Sequence, residues 1–598
     1  MNIHTVSVLV SLSLLPAAGA AAQSLGPVVV TATRTEVPAD RVLANVEMIG
    51  AAELERLPAA DLGDALRLRA GIEVARLGGP GQQTSLFLRG TESNHALVLV
   101  DGLRINPGTI GSAAVQNIAP ELVERVEIVK GPRSTLYGSD AVGGVINVIT
   151  RRGRDAGLRA QAGFGDYDSR SASLTGGFGS EARDLSFGFS WLDSAGFPTR
   201  TGDATDRGYE HLSLTAAASA RLGAVELGLR GWHASGTSEY SDFFVTPVDQ
   251  DFENSAFAAS AAFAATGSWE TRVTLGHAVD EIAQNQSPDF LRTRRWTLDW
   301  QNDLALSDRQ QLTAGLLWQD EEADAESFGL PYDAATTTAQ FYVQDQASFG
   351  RHRLLAAAAW TDHETFGGHA TWNAEYGYEP WAGALVTLAA GTAFRAPDAT
   401  DLYGFGGNPA LEPEESQSYE IALRQRIGER QSLSLALFRN EIDELIQFVV
   451  IDFDTFEGEN RNVERARIEG AEATWRYEGE RWSARAGLTL QDPRDTLTGA
   501  RLLRRAKENA TLALSRRIGG HEFALDLLYA GDRRDFGFPQ PVAMPAYWLA
   551  NLSARIAVAP RFTILARAEN LFDEDYELAR GFNTMGRSLF VALRHDFR

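Results

Sequence analysis

The chain has no cysteine among its 598 residues. That excludes a disulfide framework, thiol catalysis and thiolate metal sites, and it fits an exported protein that avoids oxidative mispairing. Basic residues are also scarce: 55 Lys and Arg stand against 79 Asp and Glu, for a net charge of −24. That balance argues against nucleic acid as a partner, since phosphate binding needs basic patches. Long apolar runs are missing too. Beyond the N-terminus no segment reaches the ~18 uninterrupted apolar residues that a transmembrane helix needs; the nearest, Phe257–Thr266, is short and alanine-rich. A membrane crossing would therefore use strands, which points to an outer membrane. There is no zincin-type helix, no phosphate loop and no triad spacing, so the chain does not read as an enzyme.

What is present begins with an apolar run, Val6–Leu15, then Pro16 and small residues ending at Ala20-Ala21-Ala22. This reads as a signal peptide over residues 1–22, cleaved before Gln23, although its first five residues carry His4 and no Lys or Arg. Next comes Pro27-Val28-Val29-Val30-Thr31-Ala32-Thr33-Arg34. Its β-branched residues favour an extended backbone. Such a segment is either an edge strand of the next domain or a strand free to join another protein's sheet.

Residues 35–154 read as a compact mixed α/β unit. Asp61 caps a short amphipathic helix through Leu68, Gly71 ends it and Ile72-Glu73-Val74 extends again. His95–Val100 is a buried strand, and Asp101-Gly102 is a hairpin signal before Leu103-Arg104-Ile105. Val123–Val129 is a strand stopped by Lys130-Gly131-Pro132, and Gly143–Thr150 closes the unit.

Five stretches of this unit occur in order: Leu86-Phe87-Leu88-Arg89-Gly90; Val100-Asp101-Gly102; Val126–Ser134, with Lys130-Gly131-Pro132 inside it; Tyr137–Ala141; and Gly143–Asn147. Together they resemble the plug of TonB-dependent outer-membrane receptors. The resemblance implies an α+β plug over residues 37–154 inside a transmembrane β-barrel of about 22 antiparallel strands over residues 155–598. It also makes residues 23–36 a TonB-box segment, with Val28, Val29, Val30, Thr31 and Ala32 at its core, exposed to the periplasm and able to pair with TonB. Arg89, Glu127, Arg133 and Asp140 are expected to fix the plug to the barrel wall.

From Leu158 onward the texture alternates. Trp548, Ala550, Leu552, Ala554, Ile556 and Val558 share one face; so do Phe523, Leu525, Leu527 and Tyr529, and Leu433, Leu435 and Leu437. Period-2 patterning suits a lipid-facing barrel and equally a soluble antiparallel sheet with one wet face. Residues 155–598 accommodate ~22 strands at ~20 residues per strand and connection. Ala568–Tyr576 resembles the family's penultimate hairpin, and Ser588–Phe597 reads as the last strand, followed by an extra Arg598.

Within the family the chain is most similar to the cobalamin-transporting branch, notably at Leu502-Leu503-Arg504-Arg505-Ala506-Lys507. That likeness implies ligand contacts at Gln83, Ser85, Glu92, Thr109, Ile110, Arg504 and Phe538, with Arg504 and Arg505 open to a second reading as lumen-wall salt bridges. It further implies calcium in the extracellular loops, at Asp203 and Asp206 and at Tyr240, Asp242, Asp249 and Asp251 beside Glu239, with Arg207 sitting where an acid is expected. Hard cations want several such oxygens. The implied protein is a monomer in outer-membrane lipid that uses TonB to import cobalamin or a related corrinoid and requires no cofactor. Its rivals are a ferric-siderophore receptor, a signal-transducing receptor, for which Gln23–Gly26 leaves no room, and a passive porin or adhesin, which would need neither plug nor box.

Overall fold

We describe a computed structural model over residues 28–57, 60–153, 157–180, 182–242, 244–452, 457–537 and 540–597. The signal-peptide reading at Met1–Ala22, the box residue Pro27 and the ligand candidate Phe538 lie outside the described residues.

Among the described residues the N-terminal unit carries nine strands: β1 (Val28–Val29), β2 (Val37–Pro38), β3 (Asn45–Gly50), β4 (Ile72–Arg76), β5 (Thr84–Leu88), β6 (Ala96–Val100), β7 (Leu103–Arg104), β8 (Val123–Lys130) and β9 (Gly144–Thr150). Three short helices join them: α1 (Ala51–Leu54), α2 (Leu62–Leu66) and α3 (Ser134–Tyr137). The central sheet has the order β3-β8-β9-β6-β7, with β6 and β9 parallel and the other pairs antiparallel. The unbroken Ala-Leu-Val-Leu-Val of β6 and the whole of β9 are buried, as strands covered on both faces require. Asp101 and Gly102 take positive φ, 52° and 88°, which a two-residue hairpin turn demands. Asp61 caps α2 by accepting a hydrogen bond from the Asp64 N–H at 3.1 Å. That helix ends at Leu66, two residues short of the extent its sequence suggests.

The rest of the chain forms a closed antiparallel barrel of 22 strands around this plug. It opens with β10 (Arg159–Gly165), β11 (Arg170–Gly179) and β12 (Arg183–Phe197). It closes where the last strand, Ser588–Asp596, pairs back onto β10. Closure removes the open edges that lipid does not tolerate. The alternation resolves as expected for a barrel. Trp296, Trp300, Phe341, Trp360, Leu437 and Leu552 stand outward and exposed, while Ala436 beside Leu437 and Asn551 beside Leu552 are buried inward, as are Asp526 and Leu528 on another strand. One end carries tight turns such as Gly223-Ala224 and Gly267-Ser268, and the other carries long connections such as 396–413, 496–507 and 570–587. Short periplasmic and long extracellular connections orient the barrel.

Candidate functional site

Three plug loops rise toward the long-loop end: 77–83, 89–95 and 105–112. Asn106 organises the third. Its side-chain amide donates to the Ala96 and Gly111 carbonyls, and its Oδ1 accepts from the Val98 N–H at 2.7 Å. The same loop is stapled to the barrel. The Ala399 and Thr400 N–H groups donate to the Gly108 and Thr109 carbonyls, both at 2.9 Å. Those donors begin a fourth helix, α4 (Ala399–Tyr403), capped by the reciprocal Asp398–Asp401 box. A cavity of about 100 Å³ lies here, lined by plug residues 104–111 and 139–140, the wall and α4. Its charges are paired: Arg104 with Asp140, Arg295 with Glu321, and Arg395 with Asp398, Asp401 and Glu414. Glu414 also meets His95 Nε2 at 2.7 Å, joining wall to plug.

The expected ligand residues fall into two groups. Gln83 is exposed, and Ser85, Glu92, Ile110 and Arg504 are half-buried at the plug apices or loop 496–507. Thr109, by contrast, is 0 % exposed, beneath α4 and the Thr293 hydroxyl. Glu92 is held by Arg505 at 2.6 Å, and Arg505 also donates to the Gly90 and Thr91 carbonyls and stacks on Phe87, 4.1 Å from its centroid. Arg504 reaches Asp535 at 2.7 Å. Both arginines are thus engaged in ion pairs, Arg504 between two long connections and Arg505 with the plug, and neither pair lies on the lumen wall. The paired Arg104, Arg295 and Glu321 were not among the sequence candidates; Arg295 and Glu321 sit in ordinary alternating strands and nothing local marks them.

The four plug charges divide. Arg89 does fix the plug to the wall, through Glu420 at 2.6 Å and Glu472 at 3.0 Å, and Arg133 does so through Glu375 at 2.7 Å. Asp140 instead pairs inside the plug with Arg104, and Glu127 serves the box. Lys130 joins Glu472, and Glu47 joins Arg485. Burial alone would raise the Glu47 carboxyl, but Arg485, Lys130, Arg476 and Arg69 outweigh it and hold it at about 2.

The box segment is not exposed to the periplasm as its sequence suggests; it is folded against the plug. β1 pairs with β2, Val29 against Val37, and Val29 and Thr31 are 0 % exposed. Glu127 Oε2 accepts from the Val30 N–H, the Thr31 N–H and the Thr31 hydroxyl at 2.7–3.0 Å. Asn147 donates to that hydroxyl, and the Tyr137 hydroxyl donates to the Thr31 carbonyl at 2.9 Å. Arg34 reaches Asp299 on the wall at 2.8 Å and lies 4.6 Å from the Tyr137 ring centroid. One buried carboxylate with three donors answers the otherwise unpaired groups of a lone strand, which is why burial wins.

Asp206 is exposed, and the other acids considered for calcium already hold partners. Asp203 accepts from Arg207 Nη2 at 2.6 Å and from the Ser241 hydroxyl. Asp242 accepts the Phe244 and Thr246 N–H groups, Asp249 the side-chain amides of Asn285 and Gln286, and Asp251 the Thr237 hydroxyl. Tyr240 donates to Gln284, and the Gly208 N–H donates to Glu239. Among the described residues no three metal-ligating side chains converge as a group that could hold an ion. As arranged, these loops do not fit calcium.

Comparison with known proteins agrees with this architecture. Residues 155–571 match the family described as TonB dependent receptor-like, beta-barrel, and residues 38–145 match the TonB-dependent Receptor Plug Domain. The chain is 30% identical over 585 residues to the vitamin B12 transporter BtuB of Photobacterium profundum, covering 95% of each. Its fold is similar to that of the ferric enterobactin receptor PfeA of Pseudomonas aeruginosa, with a TM-score of 0.80 at 17% identity over 96% of this chain and 100% of that one. It is also similar to the siderophore receptor PirA of Acinetobacter baumannii, with a TM-score of 0.77 at 16% identity over 92% and 98%. A plug with a gathered N-terminal strand, enclosed by a 22-strand barrel and matched along both units, places this chain in the family of TonB-dependent outer-membrane receptors, which are transporters and not enzymes.

Proposed function

We propose that this receptor binds cobalamin or a related corrinoid at its extracellular face and imports it with energy delivered through TonB. The observation that carries the ligand is the 30% identity to a vitamin B12 transporter across 95% of both chains. The exposed or half-exposed apex residues Gln83, Ser85 and Ile110 offer a corrinoid apolar contact and a few hydrogen bonds at the plug surface. Thr109 contributes through its backbone, by seating α4.

The path from site to box is short. Ser139 accepts from the Ala396 N–H at the cavity and donates to Asp140, and two residues earlier Tyr137 grips the Thr31 carbonyl. Ligand that shifts Asp140 or α4 loosens Tyr137, which frees Val28–Arg34 to add itself as a strand to TonB. Residues 1–22 direct export, and the barrel works as a monomer in outer-membrane lipid. Calcium has no step in this reading.

Binding and uptake separate the parts of the claim. Labelled cyanocobalamin is expected to bind purified receptor and to accumulate in TonB-containing cells, whereas a panel of ferric siderophores is not. Preference for a siderophore would overturn the ligand while keeping the transport. Val29→Pro cannot pair as an added strand, so uptake is expected to vanish while the binding isotherm stays; unchanged uptake would overturn energised transport.

A further inference from the structure

We propose that cargo crosses the barrel along one particular flank of the plug, between Ala119–Leu122 and α1 on one side and β10–β12 with the two C-terminal strands, Phe562–Glu569 and Ser588–Asp596, on the other; the proposal rests on the transport reading above. Three cavities line up along this flank. The outermost, about 80 Å³, begins under the loop residues Tyr167 and Met585 and descends past Ser171, Ser190 and Glu121. The second, about 30 Å³, shares Glu121, Arg567 and Phe590 with it and reaches Glu55. The third, about 10 Å³, shares Glu55, Leu565 and Arg567 with the second and ends at Glu522, the second residue of a strand that rises from the periplasmic turns.

The lining suits a wet path. Ser169, Ser171, Ser190, Ser194 and Ser588 put hydroxyls on the wall of the first cavity, which is large and polar enough for water. Two constrictions divide the route. The Arg567 guanidinium lies 4.7 Å from the Phe590 ring centroid, where the first two cavities meet. At the periplasmic end Glu55 gathers Arg151 at 3.0 Å, Arg594 at 2.8 Å and Arg159. The opposite flank is fastened by the buried pairs of Arg89, Lys130, Arg133 and Glu47, and separating buried partners strands their charges. Tension applied from the periplasm therefore opens the flank along which voids run in line from the loops to the periplasmic end, with Ala119–Leu122 and α1 as the moving wall.

The absence of native cysteine makes the test clean. A Cβ built on Gly188 of β12 would lie 2.8 Å from the Leu122 Cδ2, so the two positions face each other across the route, and one on Gly487 would lie 3.1 Å from the Ala70 Cβ on the fastened side. Oxidised Leu122→Cys with Gly188→Cys is expected to cut TonB-dependent cyanocobalamin accumulation at least tenfold, with recovery on reduction. Oxidised Ala70→Cys with Gly487→Cys should leave accumulation within twofold. Normal uptake through the first cross-link, or an equal block by the second, would overturn the route, the latter because the plug would then leave as one body.

A second readout does not depend on accumulation. In energised cells given cyanocobalamin, Ser190→Cys should react several-fold faster with an external bulky maleimide than in cells lacking TonB, while Ala422→Cys on the far wall should not. Equal rates at Ser190→Cys with and without TonB would overturn the route. A TonB-dependent rise at Ser190→Cys in cells that accumulate no cyanocobalamin would support the route and defeat the ligand reading.

Discussion

The two flanks of the plug meet the same barrel in opposite ways. On one, buried carboxylates are shared: Glu472 serves Arg89 and Lys130, and Glu414 serves Arg395 and the His95 ring. On the other, serine hydroxyls and small cavities separate plug from wall, and the ion pairs gather at Glu55 near the periplasm. Both flanks are lined by the inward residues of alternating strands, so composition does not tell them apart. The difference lies in what each charge faces. A buried charge is tolerable only with its partner in place, so a flank fastened by buried pairs resists displacement, and one whose ion pairs gather in a half-buried cluster at its periplasmic end yields.

The contrast can be broken from either side. Glu472→Ala should have the largest effect: it weakens the hold on both Arg89 and Lys130, and stranding buried charge costs about 3–5 kcal/mol. The plug amides of β5 and β8 should then exchange faster with solvent while the barrel remains folded. Next comes Glu127→Ala. It leaves the Val30 and Thr31 N–H groups without their acceptor, a loss of about 1–3 kcal/mol. That corresponds to about 5- to 150-fold tighter binding of the TonB C-terminal domain in the absence of cargo. Glu55→Gln should matter less, because the cluster is partly open to solvent; about 1 kcal/mol or less is expected, seen as at most a ~10-fold faster exchange of α1 amides. An equal response at Glu55 and Glu472 would erase the distinction between the flanks.

The smallest effect is one of pH. Burial raises the Glu73 carboxyl to about 7, against the opposing pull of its hydrogen bond from the Ala506 N–H and of Arg533 and Arg505. The folded plug therefore keeps this proton up to about pH 7, whereas the unfolded chain gives it up near the ordinary value of 4.5. Stability from this group falls as pH rises between those values and is level above. Relative to wild type, Glu73→Gln should flatten that part of the thermal-midpoint profile; an unchanged slope would show that the carboxyl is not buried in its neutral form.

Much of the fold is legible in the sequence because lipid enforces it. Period-2 patterning, tight turns and an extended box each follow from local chemistry, and the strands emerge where the alternation puts them. What stays hidden is partner choice over long separations. Nothing near Thr31 announces that Glu127, 96 residues away, will hold it, so a strand that reads as exposed is buried. Arg89 and Glu127 look equivalent in sequence, yet one faces the barrel and the other the box. Thr109 is covered by α4, nearly three hundred residues later, and Asp203 is claimed by Arg207, the very residue that stands where an acid was expected. The cavity charges Arg295 and Glu321 meet across adjacent strands and are ordinary in either one alone.

The place of β3 in the plug gives the box a mechanical meaning. A load applied at Val28 passes through residues 35–44, where Arg424 grips the Val42 carbonyl and Arg353 the Asp40 carbonyl. It then reaches β3, which lies at the rim of the central sheet and has only β8 beside it. The first strand of that sheet in line is thus held by a single ladder, with the Glu47 cluster as its brake. The chain is threaded like a ripcord: force drawn from below unravels the plug from its margin, and β6 of the parallel pair at its heart follows only after β3, β4 and β5 have been drawn out.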